Sequence, residues 1–266
     1  MTPQTSNPGP PDRMAATQAS YDAVAASYAD AMSDELRHKP LDRALLTAFG
    51  EQVRQAGGGQ GRQAGGGQGR QAGSGQVRQA GGGQVRQAGG GQVRQAGGDQ
   101  RRVWDVGCGP GHVTAFLAGL GLAAAGIDLS DGMVAQARAR HPDLEFGTGS
   151  MTALPAGDGT WDGLVSFYSL IHMIDDADVR TALAEFRRVL ADGGLLLLAV
   201  HAGVEVRHSA EWFGAVVDVS FRFFDPDWLA GELDQAGFAV EAVTRRQPYP
   251  GAEVATERAY FLARAR

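Results

Sequence analysis

Asp105, Gly107, Gly109, Gly111 and Asp128 are residues whose types and spacing could do chemistry. The apolar run Val103-Trp104-Asp105-Val106 leads into Gly107-Cys108-Gly109-Pro110-Gly111, and a helical pattern follows. Glycines at such a turn permit positive φ and let a ligand approach the backbone, while the start of the next helix offers free amides to a carboxylate or phosphate. Asp128 ends the next apolar run, seventeen residues after Gly111, where a carboxylate can accept two hydrogen bonds from a ribose diol. Together these residues describe a crevice for a nucleoside-bearing cofactor.

Two details narrow the cofactor. A dinucleotide fingerprint needs G-x-G-x-x-G, yet the third glycine position is His112 and the spacing is Gly107-x-Gly109-x-Gly111. A carboxylate at Asp105 would repel a pyrophosphate, whereas it suits a cofactor carrying a sulfonium and an ammonium.

The elements that must position these residues alternate. Strands are expected at residues 103–106, 122–127, 144–146, 161–167 and 195–200, with helices at 111–119, 131–140 and 176–190. Such alternation predicts an α/β fold: a doubly wound, mostly parallel, seven-stranded Rossmann-like sheet with helices on both faces. A Phe- and Val-rich strand at 216–224 and a helix at 226–235 follow. Strands at 238–246 and 258–265, separated by a Pro/Gly turn at 248–251, predict an antiparallel hairpin on the sheet edge. Upstream, residues 14–30 and the run from Leu41 have helical spacing.

Between these N-terminal helices and the α/β region lie six near-identical copies of an octapeptide of the type QVRQAGGG, spanning residues 52–99 and holding 18 of the 39 glycines. Each copy has at most one aliphatic side chain larger than alanine, too little burial to offset the backbone entropy of its glycines. The domain division expected is therefore a disordered, Pro-rich stretch at 1–13, a helical lid at 14–51, a disordered linker at 52–100 and an α/β domain at 101–266.

The net charge is −6, and the repeat carries six arginines against Asp99, which leaves −11 on the remainder. Such acidity disfavours nucleic acid, which is held by neutralising phosphates, and makes a small molecule the default partner. Cys108 is the only cysteine, so no intrachain disulfide or Cys-cluster zinc site can form. No His and carboxylate cluster has metal spacing, and metal independence is expected. The N-terminus lacks a basic-then-apolar leader pattern and the longest apolar-leaning stretch, 116–127, is too short to span a bilayer; a cytoplasmic location, without membrane association, is the expectation. Oligomeric state leaves no sequence signal.

The chain resembles the class I S-adenosylmethionine (SAM)-dependent methyltransferases, and within them the type 11 methyltransferase-domain group. The resemblance runs from about Trp104 to Val200. It is carried by Asp105-Val106-Gly107-Cys108-Gly109-Pro110-Gly111, by Gly126-Ile127-Asp128-Leu129-Ser130 with Met133, by Gly149-Ser150-Met151 and by Trp161-Asp162-Gly163-Leu164-Val165. Leu170-Ile171-His172 and Arg187-Arg188-Val189-Leu190-Ala191-Asp192-Gly193-Gly194 continue it. Residues 21–28, from Tyr21 to Tyr28, look like the tyrosine-bearing lid helix of small-molecule members. The resemblance implies SAM as cofactor, with Asp105, Gly107, Gly109 and Gly111 around its methionine end, Asp128 on the ribose, and Leu129 and Met133 beside the adenine. Ser150 and Met151 match the pair bracketing the adenine ring, although many members have a carboxylate where Ser150 stands. Phe167, Tyr21 and Tyr28 complete the expected cofactor pocket.

A sulfonium is already a good leaving group, so the reaction expected is in-line transfer of a methyl group to an O, N or C nucleophile of a small-molecule acceptor, with orientation supplying much of the rate. If the nucleophile is a hydroxyl, a base helps: His172, after the fourth strand, is the first candidate and His201, just past the fifth, the second. Packing or helix capping is the plainer role of each. Trp212, Phe213, Arg222 and Tyr249 are expected near the acceptor pocket, with a surface salt bridge the plainer role of Arg222. Two other readings stay open: a SAM-binding protein without catalysis, or one acting on protein or RNA, and a nicotinamide-dependent oxidoreductase.

Overall fold

The computed structural model describes residues 13–56 and 100–266. The expected disordered N-terminal stretch to residue 12 and the repeats from residue 57 onward lie outside the described residues. Helix α1 (Arg13–Met32) is followed by a 3-10 turn (Glu35–His38) and helix α2 (Pro40–Gln55). The α/β region then runs β1 (Arg102–Val106), α3 (His112–Gly119), β2 (Ala123–Asp128), α4 (Asp131–Arg140), β3 (Glu145–Thr148), β4 (Trp161–Phe167), a 3-10 turn (Leu170–His172), α5 (Asp176–Val189) and β5 (Leu190–His201). It closes with β6 (Val206–Trp212), β7 (Ala215–Arg222), α6 (Pro226–Gln235), β8 (Phe238–Arg246) and β9 (Arg258–Ala265).

Seven strands form one sheet in the order β3-β2-β1-β4-β5-β9-β8. The pairs from β3 through β5 are parallel, and β9 is antiparallel to both β5 and β8. The fold is therefore the doubly wound α/β sheet with an antiparallel edge hairpin that the sequence predicts. Strand order reverses between β1 and β4, which opens a crevice at their carboxyl ends.

Two apolar layers cover the sheet. One face packs Leu183, Phe186 and Leu233 from α5 and α6. The other packs Leu46, Phe49 and Val53 of α2 with Leu117 of α3. Gly163 allows this close approach, since a Cβ there would lie 2.8 Å from Phe49 Cζ and 3.1 Å from Val53 Cγ2.

Three expectations need correction. The linker does not begin at Gln52: α2 takes in Gln52–Gln55 because Val53, at helical spacing from Phe49, is 1% exposed against the sheet. The strand near 216–224 does not stand alone, for β7 pairs with the unexpected β6 in a separate two-stranded ribbon. Polar β6 carries little apolar alternation, and its pairing is supplied by the tight turn at Phe213-Gly214. The β8–β9 connection is longer than a Pro/Gly turn and occupies residues 247–257.

No helix among the described residues is long and apolar enough to cross a membrane. Phe49→Ala should lower the free energy of unfolding by about 3–5 kcal/mol in urea denaturation, since truncating a buried aromatic leaves a cavity. Val204→Ala, at a side chain 86% exposed, should leave it within about 0.5 kcal/mol of wild type.

Candidate active site

The turn after β1 is tied down from two sides. Gly107 and Cys108 donate their amides to the Ile127 carbonyl at 2.7 and 3.0 Å, and Gly109 donates to Asp128 Oδ2 at 2.8 Å. Ser130 N donates to Asp128 Oδ1 at 2.9 Å. The Asp128 carboxylate is thus aimed by backbone amides at the end of β2, and the spare lone pairs of both oxygens remain to accept. Opposite it, Ser169 after β4 donates Oγ to the Val106 carbonyl at 2.7 Å. Gly107 has φ 77°, and a Cβ there would fall 2.1 Å from Ser169 Cβ.

Asp105 is 1% exposed and accepts from Thr114 Oγ1 at 2.7 Å. Burial pushes its carboxyl up to about 6, against the lowering effect of the Thr114 bond. Burial also raises Asp128, partly offset by the amides of Ser130 and Gly109.

These groups open into one cavity of about 790 Å³, lined among others by Asp105, Gly107, Gly109, Asp128, Leu129, Met151 and Phe167. Such a volume lies within the range of about 300–1,000 Å³ typical of small-molecule and cofactor sites. The cavity also brings in Tyr21, Tyr28, His172 and His201. Among the residues lining the cavity Gly111, Met133 and Ser150 do not appear. Gly111 instead starts α3 with φ 85° against Phe146. Met133 lies on the buried face of α4 and is fully buried. The Ser150 hydroxyl pairs with Thr152 Oγ1 at 2.8 Å and accepts from Thr152 N at 3.2 Å.

Helix α1 forms the roof. Asp22 Oδ1 accepts from Ser130 Oγ at 2.6 Å and from Gly132 N at 2.8 Å, and Asp218 N of β7 donates to Ser20 Oγ at 2.8 Å. Tyr21 and Tyr28 pack edge-to-face with each other and with Trp212, centroids 5.3–5.7 Å apart. His172 Nδ1 lies 3.1 Å from the Ser220 carbonyl, which can only accept, so Nδ1 carries the proton and Nε2 accepts from Tyr21 Oη at 2.9 Å. Both ring nitrogens are therefore occupied. Burial pulls the His172 imidazole down to about 4.

Of the other residues expected near the acceptor, Trp212 lines the cavity and Phe213, Arg222 and Tyr249 do not. Arg222 pairs with Asp176 at 2.7 Å and stacks over Phe224 and Trp228. Sequence reasoning missed a polar wall. Lys39, Asp42, Glu253, Thr256 and Arg258 all line the cavity, and each is 6% exposed or less on its side chain or as a residue. Tyr168, adjacent to Phe167, could have been found from its position at a strand end; the others come from distant segments with no shared motif. Among the described residues no group of three or more His, Cys, Asp or Glu could hold a metal ion.

With this geometry in place, comparison with known proteins gives a consistent answer. Residues 103–194 match the methyltransferase domain family model. This segment is thus similar to methyltransferase domains. An O-methyltransferase of Penicillium expansum is 37% identical over 154 residues, 53% of this chain and 53% of its own. A demethylmenaquinone methyltransferase of Beutenbergia cavernae is 37% identical over 98 residues, 37% of this chain and 40% of its own. The chain thus spans about half or less of the length of these relatives. In fold, a SAM-dependent methyltransferase of Methanosarcina mazei superposes with a TM-score of 0.57 at 17% identity, covering 62% of this chain and 92% of the other. The buried Asp105 and the amide-held Asp128 fit a cationic nucleoside.

Gly107→Ala should cost several kcal/mol in urea denaturation, because the Cβ meets Ser169 and the backbone stands at positive φ. Gly119→Ala, in a helix with open space around the new methyl, should instead stabilise by about 0.5–1 kcal/mol.

Proposed function

We propose that the chain transfers a methyl group from SAM to an oxygen, nitrogen or carbon nucleophile of a small-molecule acceptor. The observation that carries this reading is a single cavity lined both by the Asp105, Gly107, Gly109 and Asp128 cluster and, beyond the ends of β4 and β5, by Tyr168, His201 and Thr256. SAM supplies an electrophilic methyl on a sulfonium leaving group. In this reading Asp128 accepts from the ribose diol, Leu129 and Met151 flank the adenine, and Asp105 faces the cationic methionine end. Tyr21, Tyr28 and Phe167 exclude water. His172 keeps Tyr21 oriented and has no free nitrogen for the acceptor's proton. The protein's contribution is to align the two reactants and to keep the space between them dry.

Titration of the purified chain with SAM, with S-adenosylhomocysteine (SAH) and with NADH as control tests this reading. SAM and SAH should bind, Asp128→Ala and Asp105→Ala should each weaken SAM at least tenfold, about 1.4 kcal/mol, and NADH should give no signal. Folded protein that ignores SAM would overturn the proposal.

The pH dependence has a definite sign. A cation favours ionised Asp105, whose carboxyl holds its proton up to about pH 6. SAM affinity should therefore fall as pH drops from 7 through 6 to 5, and Asp105→Asn should flatten that profile. The decline should be smaller for SAH, which lacks the sulfonium.

A further inference from the structure

Beyond the ends of β4 and β5 the cavity has a wall that the cofactor reading leaves unused. Tyr168 follows β4 with φ 54°, a conformation that costs a non-glycine residue of order 1–3 kcal/mol and persists only where neighbours enforce it. Its hydroxyl pairs with Tyr260 Oη at 2.8 Å, and Tyr260 donates to Asp42 Oδ1 at 2.9 Å. His201 packs against the Tyr168 ring, centroids 5.3 Å apart at 34°, and against the Phe223 ring at 5.2 Å and 27°. Tyr168, His201 and Phe223 all line the cavity.

Hydrogen bonding fixes the protonation of His201. Its Nδ1 stands 2.9 Å from Thr256 Oγ1, and that oxygen already accepts from the Arg258 guanidinium, which can only donate. If Nδ1 also donated, the buried Thr256 hydroxyl proton would have no acceptor among the described residues. A buried donor is satisfied when Thr256 donates to Nδ1, and the ring proton then sits on Nε2. Nε2 has no protein partner among the described residues. Burial, with Arg258, Lys39 and Arg207 nearby, pulls the imidazole down to about 3 against the opposing Glu253, so the ring stays neutral. Arg258 Nε is likewise buried with no partner.

Resting on the methyltransferase reading, we propose that this lobe is the acceptor subsite and that it takes a planar conjugated oxyanion, a phenolate or enolate, laid along Tyr168, His201 and Phe223 with its oxygen accepting from His201 Nε2–H. His201 is then a hydrogen-bond donor and not a base. Bound as its anion, the acceptor gives an electron pair to the methyl carbon, the S–C bonding pair stays on sulfur, and no proton is left for the protein to take. That balance agrees with the two candidate bases, His172 and His201, each of which lacks a free basic nitrogen.

The test uses the full chain and 4-nitrophenol, whose phenolate is visible by absorbance. Nitrogen-15 spectra of the six histidines, assigned with His201→Phe and His172→Phe, should show His201 as the neutral Nε2–H tautomer and His172 as the Nδ1–H tautomer between pH 8 and 5. With saturating SAH, 4-nitrophenol should bind as the phenolate, His201→Phe should weaken it at least tenfold with SAH affinity unchanged, and nitrobenzene should bind at least tenfold more weakly. An Nδ1–H tautomer at His201, binding of the neutral phenol, or equal binding to His201→Phe would overturn the proposal, as would no binding of 4-nitrophenol to the wild-type chain. Should SAH itself fail to bind folded protein, the methyltransferase reading falls separately, and the same titration without SAH still decides whether His201 holds a phenolate.

Discussion

The seam between the turn after β1 and the loop after β4 is the constraint on which the rest depends. Gly107 must pass within a methyl's width of Ser169, and Ser169 in turn bonds the Val106 carbonyl. This contact sits where strand order reverses, so it sets the width of the crevice and the position of the Gly109 amide that aims Asp128. A side chain at Gly107 would push the two loops apart and carry Asp105 and Asp128 out of register. Asp105 is buried and Asp128 half-buried, and withdrawing a carboxylate from water is costly unless donors surround it. The amides of Gly109 and Ser130 and the Thr114 hydroxyl are those donors.

A second set of buried charges closes the other end of the cavity. Asp42 of α2 meets Arg246 of β8 at 2.9 Å, and Glu253 of the β8–β9 loop meets Arg246, Arg258 and Lys39. Burial alone would raise the Glu253 carboxyl, yet these cations hold it down to about 2. Glu35 is held down similarly, its burial outweighed by His112 and Lys39. Removing one partner from such a network leaves a buried charge uncompensated, which costs far more than the intact network contributes. The network therefore fixes α2, the edge hairpin and the loop after it relative to one another, and the polar wall of the cavity is as rigid as its turn.

The roof follows a different rule. Helix α1 has alanines and tyrosines rather than a strong apolar stripe, and it is placed by hydrogen bonds that Asp22 and Ser20 accept and by edge-to-face aromatic contacts with the β6–β7 ribbon. Its apolar contacts are a small cluster of Val24, Tyr21 and Tyr28 with Val217, Val219 and Trp212. The floor, by contrast, is continuous with the main core through Val106, Ile127 and Leu170.

The sequence by itself determined the α/β alternation and the doubly wound sheet with its edge hairpin, and it singled out the residues proposed for the cofactor end of the site. Period, glycine spacing and capping are local properties, and Asp105, Gly107, Gly109 and Asp128 sit within one β-α-β unit whose geometry is set by short-range sterics. At Gly111, Met133 and Ser150, packing against Phe146, burial on the inner face of α4 and a bond to Thr152 set the surroundings, which motif position does not give. Only the tertiary structure decided the wall proposed for the acceptor. Lys39, His201, Thr256 and Arg258 are brought together by the antiparallel β5–β9 pairing and by the docking of α2, contacts between segments far apart in the chain. No local period encodes them, because a buried charge network is stabilised by mutual neutralisation in space and leaves no spacing rule along the sequence.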